Sequence, residues 1–232
     1  MQKYEYFLYL WHINLLNKAK MYTTALFDLD GVILDTEPQY TILWNQIGEE
    51  YYPELEHFAH RIKGQTLIQI FEMYFRNNDA VQRSITNRIN EYEREMQYHY
   101  ILGVKEFIED LRQHQINTAV VTSSNLEKMK NVYRNHPEFG RLFDRVLTSE
   151  DFLKSKPHPD CYLQAAANFQ VPVSECVVFE DSINGLKAAK AANMTVCGLS
   201  TTLPASEISS LCDVVIPHFK GLNYLKFRSM FG

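Results

Sequence analysis

The chain has 232 residues, 46% hydrophobic and 22% charged, which is the composition of one large folded domain or a domain with an insert. A disordered chain and a disulfide-held mini-protein are both excluded. With 23 basic against 28 acidic side chains the net charge is −5, so no general attraction to nucleic acid or to an anionic membrane is expected.

Residues 6–16 form an apolar, aromatic run behind Lys3. Glu5, His12 and Asn14 interrupt the pattern of a signal peptide, and no small-x-small cleavage site follows. The run is also shorter than the roughly 20 residues of a membrane span. Residues 1–20 are therefore read as an extension that fold and chemistry do not need.

From Thr23 onward, short apolar runs alternate with helical patterns. Strands are expected at 25–29, 116–122, 145–148, 176–179, 194–199 and 214–216. Helices are expected at 104–114, 125–135, 159–169 and 184–192. Such alternation predicts βαβ units and a doubly wound parallel sheet, an α/β fold with right-handed crossovers. The gap after the first strand is far longer than a normal βα connection. Helical spacing at 40–47, 67–75 and 81–100 marks residues 38–102 as a helical insert, a small cap over the C-terminal edge of the sheet. Residues 21–37 and 103–232 then form the core. The aromatic stretch 92–100 reads as packing within the cap.

Cys161, Cys176, Cys197 and Cys212 form no C-x-x-C pair, so neither a zinc site nor a redox motif is expected. Small buried thiols in a reducing cytoplasm account for them.

The chemistry-bearing residues stand where expected strands end. In Phe27-Asp28-Leu29-Asp30-Gly31-Val32, two carboxylates two apart follow a buried run, and Gly31 permits a tight turn. Two such acids repel and call for a cation or a shared proton. Val120-Val121-Thr122-Ser123-Ser124 runs a strand into hydroxyls and amides that either hold a phosphate or cap a helix. Lys156, in Ser155-Lys156-Pro157-His158-Pro159-Asp160, is either a fixed charge in a stiff loop or a solvated turn residue, and His158 reads as an exposed loop histidine. Val177-Val178-Phe179-Glu180-Asp181-Ser182 ends in a second acid pair, an oxygen set suited to Mg²⁺.

In that order, these four motifs resemble the haloacid dehalogenase-like hydrolases. DLDGVILDTE, KPHPD and EDSINGLKAAKAANM resemble the branch with a small helical cap, which holds phosphosugar phosphatases and β-phosphoglucomutase. The resemblance implies a Rossmannoid core and a Mg²⁺-dependent phosphatase acting on a small phosphorylated metabolite, a sugar or polyol phosphate. It assigns Asp28 as the nucleophile that forms an aspartyl-phosphate, and Asp30 as general acid and base. Thr122 and the Ser123 amide would hold phosphate oxygens, and Lys156 would neutralise them. Asp28, the Asp30 carbonyl, Glu180 and Asp181 would hold the metal. Lys63 and Gly64 resemble a cap loop that faces the substrate. The alternative is a phosphosugar mutase. Such mutases carry a His where Tyr40 stands and an Arg where Leu67 stands, and Arg61 or Lys63 would have to compensate. A cytoplasmic monomer with no nucleic-acid or membrane partner is expected.

Overall fold

The computed structural model describes residues 21–63 and 65–231. The expectations for residues 1–20 and for Gly64 concern positions outside the described residues. Strand β1 (Thr24–Phe27) is followed by helices α1 (Glu37–Tyr51), α2 (Phe58–Ile62), α3 (Leu67–Tyr74) and α4 (Asp79–Glu95). The alternation then resumes with α5 (Val104–Gln113), β2 (Asn117–Val121), α6 (Leu126–Asn135), β3 (Arg145–Leu147), α7 (Asp160–Phe169), β4 (Cys176–Glu180), α8 (Ile183–Ala191), β5 (Thr195–Leu199) and β6 (Val214–Ile216). Helix α9 (Tyr224–Phe231) ends the described chain.

The six strands form one parallel sheet in the order β3-β2-β1-β4-β5-β6. Period-two alternation gives each strand two apolar faces, as a sheet covered on both sides requires. Ala25, Phe27, Val120, Val177 and Phe179 face the layer of α5, α6 and α9, whereas Leu26, Ala119, Val121 and Val178 face α7 and α8. Phe27 and Phe179 pair across β1 and β4, their rings stacked at 4.7 Å. This is the doubly wound α/β core expected from the sequence.

The strand order reverses between β1 and β4, and a crevice opens there beyond the carboxyl ends of the strands. Helices α1–α4 lie over that region with an apolar cluster of their own, centred on Leu43, Trp44, Ile47, Phe58, Ile70, Phe75, Ile85 and Ile89. Two expectations are corrected. Helix α4 stops at Glu95 rather than continuing to 100, because residues 97–100 lead back to the sheet domain, where Tyr98 is buried in the main core and Tyr100 pairs with Leu34. Only Tyr92 of that aromatic stretch packs against the insert's cluster. Helix α9 was not expected; Phe227 and Phe231, one turn apart on its inner face, bury against the sheet.

Candidate active site

Asp28 follows β1 directly, and its amide still donates to the Phe179 carbonyl at 3.0 Å. The chain then turns at Gly31, whose φ is +73°; a Cβ there would lie 2.0 Å from Asp181 Oδ2. Glycine is thus required twice over, by conformation and by the close approach of the second acid motif. Gly185 in the first turn of α8 plays the same part, because a Cβ would lie 1.6 Å from Glu180 Oε1.

Lys156 ties the strand ends together. Its Nζ donates to Asp28 Oδ1 at 2.6 Å, to Glu180 Oε1 at 2.7 Å and to the Val121 carbonyl at 3.1 Å. It also sits 5.1 Å from the centre of the Tyr162 ring. Of the two readings left open for it, the fixed buried charge is the one the fold realises. Burial alone would lower this ammonium, but Asp28 and Glu180 outweigh it and hold Lys156 well above the usual lysine range. Burial pushes the Asp28 carboxyl up to about 7; Lys156 opposes that rise while Glu180 and Asp30 add to it. Burial, together with Glu180 and Asp28, also holds Asp181 well above the usual carboxylate range.

Glu180 spends both oxygens inside the protein. Oε1 accepts from Lys156 and Tyr162, and Oε2 accepts from the Asp181 amide and from the amide and hydroxyl of Ser182. Ser182 caps α8 at the same time, its hydroxyl accepting from Gly185 N at 3.1 Å. Asp28, Glu180 and Asp181 each bring an oxygen within 4.8 Å of the others, so the three can hold a divalent cation. Burial first, and then mutual repulsion, raises Asp28 and Asp181, and such a cation would relieve the repulsion.

A second cluster forms the side wall. Asp30 accepts from the hydroxyls of Thr36 and Ser124, the latter at 3.0 Å, and from Lys128 Nζ at 2.5 Å to both carboxylate oxygens. Thr36 precedes α1 without capping it, because its hydroxyl serves Asp30. Thr122 is buried, and its hydroxyl accepts from the Ser124 amide at 3.0 Å, while Ser123 lines the cavity beside it. Ser124 stood in the hydroxyl motif with its role open, and it serves Asp30; Lys128 and Thr36 were not foreseen as site residues. The available signal was Lys128 itself, which shares the buried face of α6 with Val132 one turn on.

These groups line a cavity of about 430 Å³ between the sheet edge and the insert. Lys63 lines it too, donating to the Thr202 carbonyl at 3.4 Å and lying 3.8 Å from Glu37. Tyr40 and Leu67 also face it; the Tyr40 hydroxyl donates to Glu93 at 2.6 Å and its ring lies 4.6 Å from Lys128 Nζ. Arg61 is exposed and donates to the Glu56 carbonyl, away from the cavity. His158 is exposed in its turn, where Nδ1 accepts from the Asp160 amide.

The family model for haloacid dehalogenase-like hydrolases matches residues 25–199. The chain belongs to that family. It is an enzyme of the phosphoric monoester hydrolase type. The phosphorylated carbohydrates phosphatase of Thermotoga maritima is 29% identical over 73% of this chain and 81% of its own length. Hexitol phosphatase B of Escherichia coli O157:H7 is 26% identical over 90% of this chain and 96% of its own. In structure, a family IA hydrolase from Entamoeba histolytica superposes with a TM-score of 0.79 at 22% identity, over 90% of this chain and 98% of the other, a likeness of fold. Among the described residues, no helix is long and apolar enough to cross a membrane.

Proposed function

We propose that this hydrolase is a Mg²⁺-dependent phosphatase of a small phosphorylated metabolite, a sugar or polyol phosphate, working in the cytoplasm as a monomer. The observation that carries the reading is the buried Lys156, which holds one oxygen of Asp28 while Glu180 and Asp181 stand beside it on the cavity floor.

Asp28 attacks phosphorus, forming an O–P bond as the bond to the leaving oxygen breaks. Asp30 donates a proton to that oxygen and later takes one from the water that attacks the aspartyl-phosphate, releasing inorganic phosphate. Thr122, the Ser123 amide and Lys156 receive the phosphoryl oxygens. Asp28, Asp181 and the Asp30 carbonyl would hold Mg²⁺ directly, and Glu180, with its oxygens already occupied, would act through water and through Lys156. When bound, the ion supplies positive charge that offsets the repulsion between carboxylate and phosphoryl group. Residues 38–102 serve as the cap over a core of 21–37 and 103–232, with Lys63 facing the substrate.

Hydrolysis is favoured over phosphosugar mutation by the wall opposite the floor. Tyr40 and Leu67 offer no cation there, Arg61 is not among the lining residues, and Lys63, which is, offers a point charge already set against the Thr202 carbonyl and Glu37, so among the described residues no guanidinium fork for a second phosphate is in place. The test is phosphate release from a panel of sugar and polyol phosphates with and without Mg²⁺, with product analysis on β-glucose 1-phosphate. Glucose 6-phosphate forming much faster than inorganic phosphate would overturn the reading.

A further inference from the structure

The chemistry above leaves two carboxylates of the cavity unused, Glu37, which lies 3.8 Å from Lys63, and Glu93. Glu93 stands in the last turn of α4 and is only 6% exposed, yet it lines the cavity. One oxygen accepts from the Tyr40 hydroxyl, and the Glu93 backbone carbonyl accepts from Tyr98. Its second oxygen has no hydrogen-bond partner among the described residues. Lys128, whose charge acts on Glu93, is already engaged by both oxygens of Asp30. Burial raises the Glu93 carboxyl, Lys128 and the Tyr40 hydroxyl pull it down, and Asp30 and Glu127 push it up. A buried carboxylate with an open oxygen is costly to keep for packing alone, and a glutamine or an apolar side chain would fill the same space.

The placement says what the open oxygen faces. Asp30, Lys128, Tyr40 and Glu93 follow one another from the floor into the insert. Glu93 therefore lies beyond the acid that serves the leaving oxygen, where the rest of the leaving group must sit. A carboxylate oxygen there accepts from O–H groups and repels a second phosphate.

We infer that Glu93 selects the leaving group, accepting hydrogen bonds from the hydroxyls of a polyol monophosphate and rejecting a bisphosphate. The inference rests on the phosphatase reading. Its test uses three esters of one chain length: hexitol 6-phosphate, n-hexyl phosphate and hexitol 1,6-bisphosphate. With the wild-type enzyme and Mg²⁺, kcat/KM for the hexitol monophosphate should exceed that for each of the others at least tenfold. In Glu93→Gln the monophosphate-to-bisphosphate ratio should collapse by about tenfold, and the hexitol-to-hexyl ratio should fall with it. Equal wild-type values for hexitol and hexyl esters, or unchanged ratios in Glu93→Gln, would overturn the assignment. Should Glu93→Gln fail to fold, the wild-type comparison decides. Phosphate release from p-nitrophenyl phosphate, dependent on Asp28, separates the two levels: present with no discrimination among the three esters, it sinks only the role of Glu93; absent throughout, it sinks the phosphatase reading as well.

Discussion

The cavity holds two lysine–carboxylate clusters of opposite construction. On the floor, Lys156 joins Asp28 and Glu180 entirely within the sheet domain, and every partner sits at or next to a strand end. On the wall, Lys128 joins Asp30, with Thr36 at the entrance to the insert and Tyr40 and Glu93 inside it. The floor is fixed by the sheet, while the wall depends on how the insert docks. On the proposed reading, transfer of the phosphoryl group belongs to the first cluster, and choice and departure of the leaving group belong to the second.

The largest effect should come from the floor. Asp28→Asn removes the attacking oxygen's charge and should lower kcat by about 10³-fold or more while the fold persists. Steady-state turnover of the purified variant, with a circular-dichroism melt alongside, checks both halves. Lys156→Met should destabilise the metal-free protein by about 3–5 kcal/mol, because Asp28 and Glu180 are left buried and unpaired. Urea unfolding measures it, and a loss below about 1 kcal/mol would show that the two acids have another counter-charge.

The metal sharpens the same contrast. Burial holds the Asp28 carboxyl at about 7 in the fold, above its ordinary 3.8. Across that window the metal-free fold binds a proton that the unfolded chain does not, so Asp28 costs stability as pH rises. Mg²⁺ must displace that proton, so the rise in melting temperature on adding Mg²⁺ should be larger near pH 8 than near pH 5. An equal rise at both would detach the ion from Asp28. The smallest effect is expected on the wall. Lys128→Met leaves Asp30 with two hydroxyl donors and partial exposure, so stability should fall by roughly 1–2 kcal/mol, and kcat/KM by about ten- to a hundredfold. If Lys128→Met costs as much stability as Lys156→Met, the distinction between floor and wall fails.

The two clusters also differ in how far the sequence betrayed them. Floor residues lie beside apolar runs of period two, so a carboxylate or hydroxyl at the end of such a run stands out. Asp28, Thr122, Glu180 and Asp181 are of this kind, and parallel pairing of β1, β2 and β4 brings them together. Lys156 is in a loop, and its burial could not be read from its neighbours. Wall residues are scattered over α1, α4 and α6, where helical period places many polar side chains on faces whose docking is undetermined. Glu93 is one of several charged side chains on α4, and Lys128 one of three cations between 128 and 134, and nothing in the sequence sets either apart. The insert's existence followed from the long gap after β1. The end of α4 did not, because Tyr98 and Tyr100 keep the aromatic character of the helix while packing into a different core.

Among the described residues, six carboxylates line the cavity against three lysines. A phosphate ester approaching those acids meets like charge at short range, where the low dielectric of a partly closed cleft strengthens it. A divalent cation meets the reverse. On the proposed reading, once Asp28 is ionised, the imbalance favours one order of addition, cation before ester, and gives the phosphate dianion released from Asp28 an electrostatic push outward. In kinetic terms, inorganic phosphate should be a weak product inhibitor whose hold on the enzyme tightens as Mg²⁺ rises.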